Sequence, residues 1–127
     1  MKYKNKTFLV TGGTGSFGKK LVQILLEKYN PKKIIIFSRD ELKQHEMKIR
    51  DVFKKNIKKL RFFIGDIRDY ERLDDAMFKV DYVIHAAALK QIDTSEYNPL
   101  EFVKTNVLGS SNVIKAAIKN NVEKLIG

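Results

Sequence analysis

Short apolar runs alternate along this chain with stretches whose apolar residues recur at helical spacing. Residues 7–11, TFLVT, are β-branched and aromatic and predict a first strand. From Ser16 to Tyr29, the residues Phe17, Leu21, Ile24 and Leu25 recur at i, i+4, i+7 and i+8, one face of a helix. KKIIIFS, 32–38, is an unbroken apolar run and predicts a second strand buried on both faces. Leu42, Glu46, Ile49 and Phe53 predict a mostly polar helix with a thin apolar stripe. RFFIGD, 61–66, predicts strand three. Tyr70, Leu73 and Met77 predict a short helix capped by Asp69. DYVIHAAA, 81–88, predicts strand four. The last helix has the clearest start, with Asn98 as N-cap, Pro99 at the first helical position and Glu101 at the capping-box place. Leu100, Val103, Val107, Ser110, Ile114, Ala117 and Asn121 then keep helical spacing, and VEKLIG, 122–127, opens a fifth strand.

Strict strand–helix alternation predicts right-handed crossovers and a parallel sheet, the doubly wound α/β pattern of a Rossmann-type fold that stops at the start of strand five. The 127 residues suffice for one domain with a core, not two, so residues 1–127 are read as a single unit without repeat or linker. In such a sheet the ligand site lies outside the carboxyl ends of the strands, where strand order reverses. The residues with chemical promise all fall at those ends.

After strand one comes VTGGTGSFGK, with Gly12, Gly13, Gly15 and Gly18 leading into the first helix. The spacing of Gly12, Gly15 and Gly18 is G-x-x-G-x-x-G, and its place between strand and helix makes it a dinucleotide-binding loop. Gly12 serves the tight turn, Gly15 lets a pyrophosphate approach the backbone, and Gly18 lets the helix pack on the strand. Thr14, Ser16 and Phe17 offer backbone amides, and the helix dipole favours phosphate there. No G-K-[ST] follows, so the loop is not a P-loop.

Strand two ends in Ser38 and Arg39 where an NAD-preferring fold carries an acid. A hydroxyl and a guanidinium suit a 2′-phosphate, with Lys43 one turn on, so NADP is the expected cofactor. Asp40 and Glu41 fit a helix start; the competing reading makes Arg39 a surface cation and Asp40 the ribose ligand. Asp66 can accept from the adenine amino group while the Ile67 amide meets a ring nitrogen. The small Ala86, Ala87 and Ala88 let a cofactor lie flat across the sheet. His85 sits among strand-core residues and reads as structural rather than catalytic; His45 reads as solvated.

Composition narrows the function classes. The chain is 43% hydrophobic and 31% charged, with a net charge of +10 and no cysteine. The last point excludes disulfide scaffolds and thiolate metal sites and fits a reducing cytoplasm. There is no 18-residue apolar run and no signal-peptide pattern, so no membrane partner and a cytoplasmic location are expected. The charge has two readings, an electrostatic footprint for nucleic acid or lysines spread over solvated faces. The lysines do not interleave with aromatics, so no nucleic-acid partner is expected, and the same field suits a phosphate-bearing ligand. No metal site is expected.

TGGTGSFGK, SRDELKQ-EM, FFIGDIRD-ERL, HAAALKQ and EYNPLE-VKTN occur in this order. Together they resemble the extended short-chain dehydrogenase/reductase superfamily, and more narrowly the inverting UDP-N-acetylglucosamine 4,6-dehydratases of bacterial polysaccharide and pseudaminic acid synthesis. The resemblance implies an NADP-dependent lyase: hydride leaves sugar C4, water is eliminated across C5 and C6, and hydride returns at C6. It implies cofactor contacts at Thr14 to Phe17, at Ser38, Arg39, Asp40, Glu41, Leu42 and Lys43, at Asp66 with Ile67, and at Ala86, Lys90 and Thr105, with Lys90 also near the substrate. Asn106 is either a support for the site or a buried helix asparagine. The family's Tyr-x-x-x-Lys pair is absent as a helical motif: Tyr29 and Lys33 have that spacing, but Asn30 and Pro31 break the helix between them. The 127 residues are therefore expected to be the inactive cofactor-binding portion of a longer enzyme, a homo-oligomer when full length; the alternatives are a stand-alone, non-catalytic NAD(P)-binding module or the same portion of another extended short-chain nucleotide-sugar epimerase or dehydratase. The isolated chain, with an open sheet edge, is expected to self-associate.

Overall fold

The computed structural model describes residues 3–86 and 99–126, with residues 99–106 described in their backbone alone. Strand β1 (Thr7–Thr11) leads into helix α1 (Ser16–Lys28). Then follow β2 (Lys33–Ser38), α2 (Glu41–Lys48), α3 (Asp51–Lys54) and a 3-10 turn at Ile57–Lys59. β3 (Leu60–Ile64), α4 (Tyr70–Ala76), β4 (Tyr82–His85), α5 (Pro99–Lys119) and β5 (Lys124–Ile126) complete the order. The strands form one parallel sheet in the order β3-β2-β1-β4-β5. Thr11 stands beside Phe37 on one side and His85 on the other.

The unbroken apolar runs are explained by cover on both faces. Phe8, Val10, Ile34 and Ile36 point to one side and pack with Val22, Leu25 and Leu26 of α1, Met47 of α2 and Phe53 of α3. Leu9, Ile35 and Phe37 point to the other, against Leu73 of α4 and Val113, Ala116 and Ala117 of α5. Each such fully buried Val, Leu, Ile or Phe side chain contributes on the order of 1.5–3 kcal/mol.

The strands lie where the apolar runs predict them, although β3 ends at Ile64 and β4 at His85. Asp69 caps α4, accepting from Arg72 N at 3.2 Å. Pro99 opens α5, while Asn98 lies outside the described residues. Three helix faces differ from the expected ones. On α1 the buried residues are Gly18, Val22, Leu25 and Leu26, and Phe17 is exposed. On α5, Val113, Ala116 and Ala117 face the sheet, whereas Val107 and Ile114 are exposed. The helix expected through Phe53 is broken into α2 and α3, and its apolar stripe holds only at the buried Phe53: Leu42 and Ile49 are 66% and 62% exposed, while Gln44 and Met47 are buried. At about 100° per residue, Met47 and Phe53 on one straight helix would sit far apart around its axis. The break at Ile49–Arg50 lets both reach the core.

Candidate functional site

β2 and β3 follow β1 on one side and β4 and β5 lie on the other, so strand order reverses between Thr11 and His85. At that point a doubly wound sheet opens a crevice at its carboxyl end.

The glycine turn stands at the mouth of this crevice. Gly12 N donates to Phe37 O at 2.9 Å, which ties the start of the turn to β2. Its φ of 69° lies in the left-handed region that favours glycine. A Cβ on Gly18 would meet Gly12 O and stand 2.6 Å from Gly13 Cα, so the first turn of α1 rests on the loop backbone. A Cβ on Gly13 would stand 2.8 Å from Ile36 Cγ2. Gly15 differs. Its backbone is extended, with φ −73° and ψ 170°, and a Cβ there would meet only Gly12 O, at an ordinary 3.5 Å. Packing against the described residues does not require glycine at this position; a group arriving from outside would.

Gly15 is also the N-cap of α1, without a side-chain cap and with no acid in the first turn. The first intrahelical bond is Lys19 N to Gly15 O at 2.9 Å, so the amides of Ser16, Phe17 and Gly18 precede it. These amides and the helix dipole favour an anion. Thr14, Gly15 and Ser16 border a cavity of about 210 Å³ that Lys19 of α1, Lys43 and Glu46 of α2 and Arg50, the residue before α3, also line.

At the end of β2, Ser38 is buried. Gln44 Nε2 lies 2.9 Å from Ser38 Oγ, 3.3 Å from Ser38 O and 3.2 Å from Phe63 O. Arg39 is exposed, with Nη1 3.8 Å from Asp66 Oδ2. Asp40 caps α2: its Oδ1 accepts from Lys43 N at 3.0 Å. The carboxylate therefore has a task in the fold whether or not it meets a ribose. Glu41, Leu42 and Lys43 form the exposed first turn that follows.

Beyond β3, Asp66 accepts from Arg68 Nη2 at 2.7 Å, from Nε at 3.1 Å and from the Arg68 backbone amide at 2.9 Å. The Arg68 guanidinium holds the Asp66 carboxyl below its usual range, against a smaller opposing effect of burial. Both Asp66 oxygens are thus engaged, and an adenine amino group would share them with Arg68. Next to it, Ile67 packs where a Cβ on Gly109 would have to be, 2.6 Å from Ile67 Cγ1. Asn112 Nδ2 donates to Ile67 O and Arg68 O, both at 3.0 Å.

At the end of β4, His85 Nδ1 is 2.6 Å from Thr11 Oγ1 and Nε2 is 3.1 Å from Ser110 Oγ. Burial pulls the imidazole below its ordinary 6.5. Both ring nitrogens are bonded to β1 and α5, so His85 is part of the crevice floor. Ala86 beside it is buried. Ala87, Ala88 and Lys90 lie outside the described residues, as do the side chains of Thr105 and Asn106. His45 is exposed on α2.

The structure thus brings Gly12–Gly18, Ser38–Lys43, Asp66–Ile67 and Ala86 to one end of the sheet. Sequence reasoning missed Gln44, Gly109 and Asn112 and gave Ser110 no more than a place on a helix face. The one available signal was Gly109, a glycine inside a long helix, which marks close approach of a neighbour.

A parallel sheet in this order, with a glycine turn entering an uncapped helix at its reversal, defines a Rossmann-type α/β fold. Residues 8–127 match the model of the polysaccharide biosynthesis protein family. An inverting UDP-N-acetylglucosamine 4,6-dehydratase of Campylobacter jejuni is 56% identical over 124 residues, covering 98% of this chain and 36% of that protein. A UDP-glucose 4-epimerase of Rickettsia typhi is 51% identical over 127 residues, with 98% and 36% covered. Among solved structures, Pen from Bacillus thuringiensis superposes with a TM-score of 0.87 at 43% identity, covering 98% of this chain and 38% of that one. DesIV of Streptomyces venezuelae, a dTDP-glucose 4,6-dehydratase solved with NAD and TYD bound, superposes with a TM-score of 0.74 at 26% identity, with 94% and 38% covered. The chain belongs to the polysaccharide biosynthesis protein family, and it spans 36% of the length of the curated relatives it matches.

Proposed function

We propose that residues 1–127 are the NADP-binding unit of a nucleotide-sugar 4,6-dehydratase that acts on a UDP-N-acetylglucosamine-type substrate. The observation that carries the dinucleotide reading is Gly15, whose lack of a side chain no contact with the described residues explains. The amides of residues 16–18 bind the pyrophosphate, Asp66 and Ile67 meet the adenine, and Ser38, Arg39 and Lys43 take the 2′-phosphate. Ala86, with Ala87, Ala88, Lys90 and Thr105, continues the bed toward the reacting end, where Lys90 also reaches the sugar nucleotide. When bound, the nicotinamide supplies a hydride acceptor and donor for sugar C4 and C6. The residues described here bind and orient; the acid and base of the elimination come from elsewhere in the full-length protein.

The dehydratase reading is supported by the Campylobacter jejuni relative, and the epimerase reading by the Rickettsia typhi one. DesIV is solved with NAD bound, so the NADP choice rests on Ser38, Arg39 and Lys43. The full-length protein is read as a cytoplasmic homo-oligomer. Val107, Ile114 and Ile118, exposed along one face of α5, support an oligomer face, and among the described residues no helix is long and apolar enough to cross a membrane.

Two measurements test this reading. Calorimetric titration of the chain with NADP and NAD side by side should give tighter NADP binding; equal affinity or an NAD preference overturns the cofactor choice. Mass spectrometry of UDP-N-acetylglucosamine incubated with the full-length protein should show a product lighter by one water. An isomer of unchanged mass selects the epimerase instead.

A further inference from the structure

We propose that Gln44 is a specificity-determining positioning residue, which fixes the Ser38 hydroxyl as a hydrogen-bond donor toward the cofactor ribose and so favours a 2′-phosphate over a 2′-hydroxyl. The inference rests on the NADP reading above and adds a residue that does not itself touch the cofactor.

Gln44 is a polar side chain only 2% exposed on a mostly polar helix that buries Met47 while its Leu42 faces solvent. A buried amide on such a helix calls for a tertiary reason. Its orientation is set by two backbone carbonyls, Ser38 O at 3.3 Å and Phe63 O at 3.2 Å, which accept and cannot donate. The NH2 end of the amide must therefore face them. The same nitrogen lies 2.9 Å from Ser38 Oγ, so one of its two N–H groups is shared between the oxygens of Ser38 and Oγ accepts there. An amide nitrogen offers no lone pair, and the Ser38 proton must point elsewhere. No other described residue accepts it.

Ser38 closes β2 next to Phe37, whose carbonyl anchors Gly12 of the glycine turn. Asp40, two residues on, caps the helix that carries Gln44, so loop and helix form one unit. A phosphate dianion only accepts hydrogen bonds, and a hydroxyl with its proton committed outward meets it with a charge-assisted bond. A ribose 2′-hydroxyl is instead best recognised by an acceptor, the role a carboxylate plays in NAD-preferring folds. Gln44 thus converts an ambivalent serine into a donor.

The test is the ratio of NAD to NADP dissociation constants, measured by calorimetry on the wild-type chain, Gln44→Met, Ser38→Ala and the double variant. Gln44→Met and Ser38→Ala should each lower the ratio about tenfold, as expected for a hydrogen bond to a charged group, and the double variant should lose no more than either alone. A merely structural role would weaken both cofactors equally and leave the ratio unchanged; that result overturns the proposal, as does an unchanged ratio in Ser38→Ala. Gln44→Glu is the second probe should Gln44→Met not fold. It places an acceptor toward Ser38, draws the proton inward and should also lower the ratio; a retained ratio overturns the proposal. A wild-type chain without NADP preference removes the NADP reading itself, an outcome separate from a preference that survives substitution of Gln44.

Discussion

Asn112 holds Ile67 in place from across the fold: its Nδ2 donates to the Ile67 carbonyl at 3.0 Å, from a helix 45 residues further along the chain. The same amide takes the carbonyl of Arg68. Asn112→Ala leaves two carbonyls without this donor and should cost about 1–3 kcal/mol in denaturant unfolding. Adenine-nucleotide affinity should fall with it, because Ile67 presents the amide read as an adenine contact. Wild-type affinity in a folded Asn112→Ala chain would separate the loop from the cofactor.

Gly15 and Gly18 should respond differently to one added methyl group. At Gly18 the Cβ meets loop backbone, so Gly18→Ala should destabilise the chain by about 1–3 kcal/mol and also weaken cofactor binding. At Gly15 the Cβ has ordinary room, and Gly15→Ala should cost no more than about 1 kcal/mol as a poorer N-cap. Its cofactor binding should nevertheless drop at least about tenfold, since the methyl occupies the anion's approach. Thermal melts and titrations of the two variants check both halves.

Arg39→Ala should separate cofactor choice from stability. The Arg39–Asp66 pair is wide, at 3.8 Å, and lies at the surface, so its loss should change stability by less than about 1 kcal/mol. Loss of a cation facing a 2′-phosphate should weaken NADP about tenfold or more and leave NAD nearly unchanged. An equal loss for both cofactors would return Asp40 to consideration as the ribose ligand.

Stability should fall on mild acidification because of His85. Burial depresses its folded-state pKa below the unfolded value of 6.5, so between the two values the unfolded chain binds more protons. The contribution is complete above 6.5 and is lost progressively as pH falls from there toward the folded-state value. The hydroxyls of Thr11 and Ser110 can accept from a protonated ring, so the cost is that of burying charge rather than of breaking partners. Melting temperatures at neutral and mildly acidic pH should show the decline. Gln at position 85 (His85→Gln) should remove this part of the slope even where it lowers stability throughout.

The strands were readable because each carries a short apolar run, FLV in β1, III in β2, FFI in β3 and YVI in β4, a pattern that survives any choice of neighbour. The glycine turn was readable for a similar reason, since its spacing and its place between strand and helix are both local. Helix faces were less so. Leu42 and Ile49 promised a stripe that solvent receives instead, while Gln44 is buried because Ser38 and Phe63 offer it oxygen atoms. Nothing along α2 announces those oxygens. His85 could be read as structural from its strand, but its partners Thr11 and Ser110 become neighbours only when β4 and α5 settle beside β1.

The central place of β1 has a consequence for how this chain is made. β1 is made before the other four described strands but gains its second neighbour only with β4, and Thr11 waits 74 residues for His85. At translation rates of 5–20 residues per second, that interval is roughly 4–15 s. During it, Phe8, Leu9 and Val10 can be covered on one edge by β2 alone. Among the five described strands β1 is therefore the one with the longest half-finished life, and a chaperone that shields nascent apolar segments would find a client sequence there.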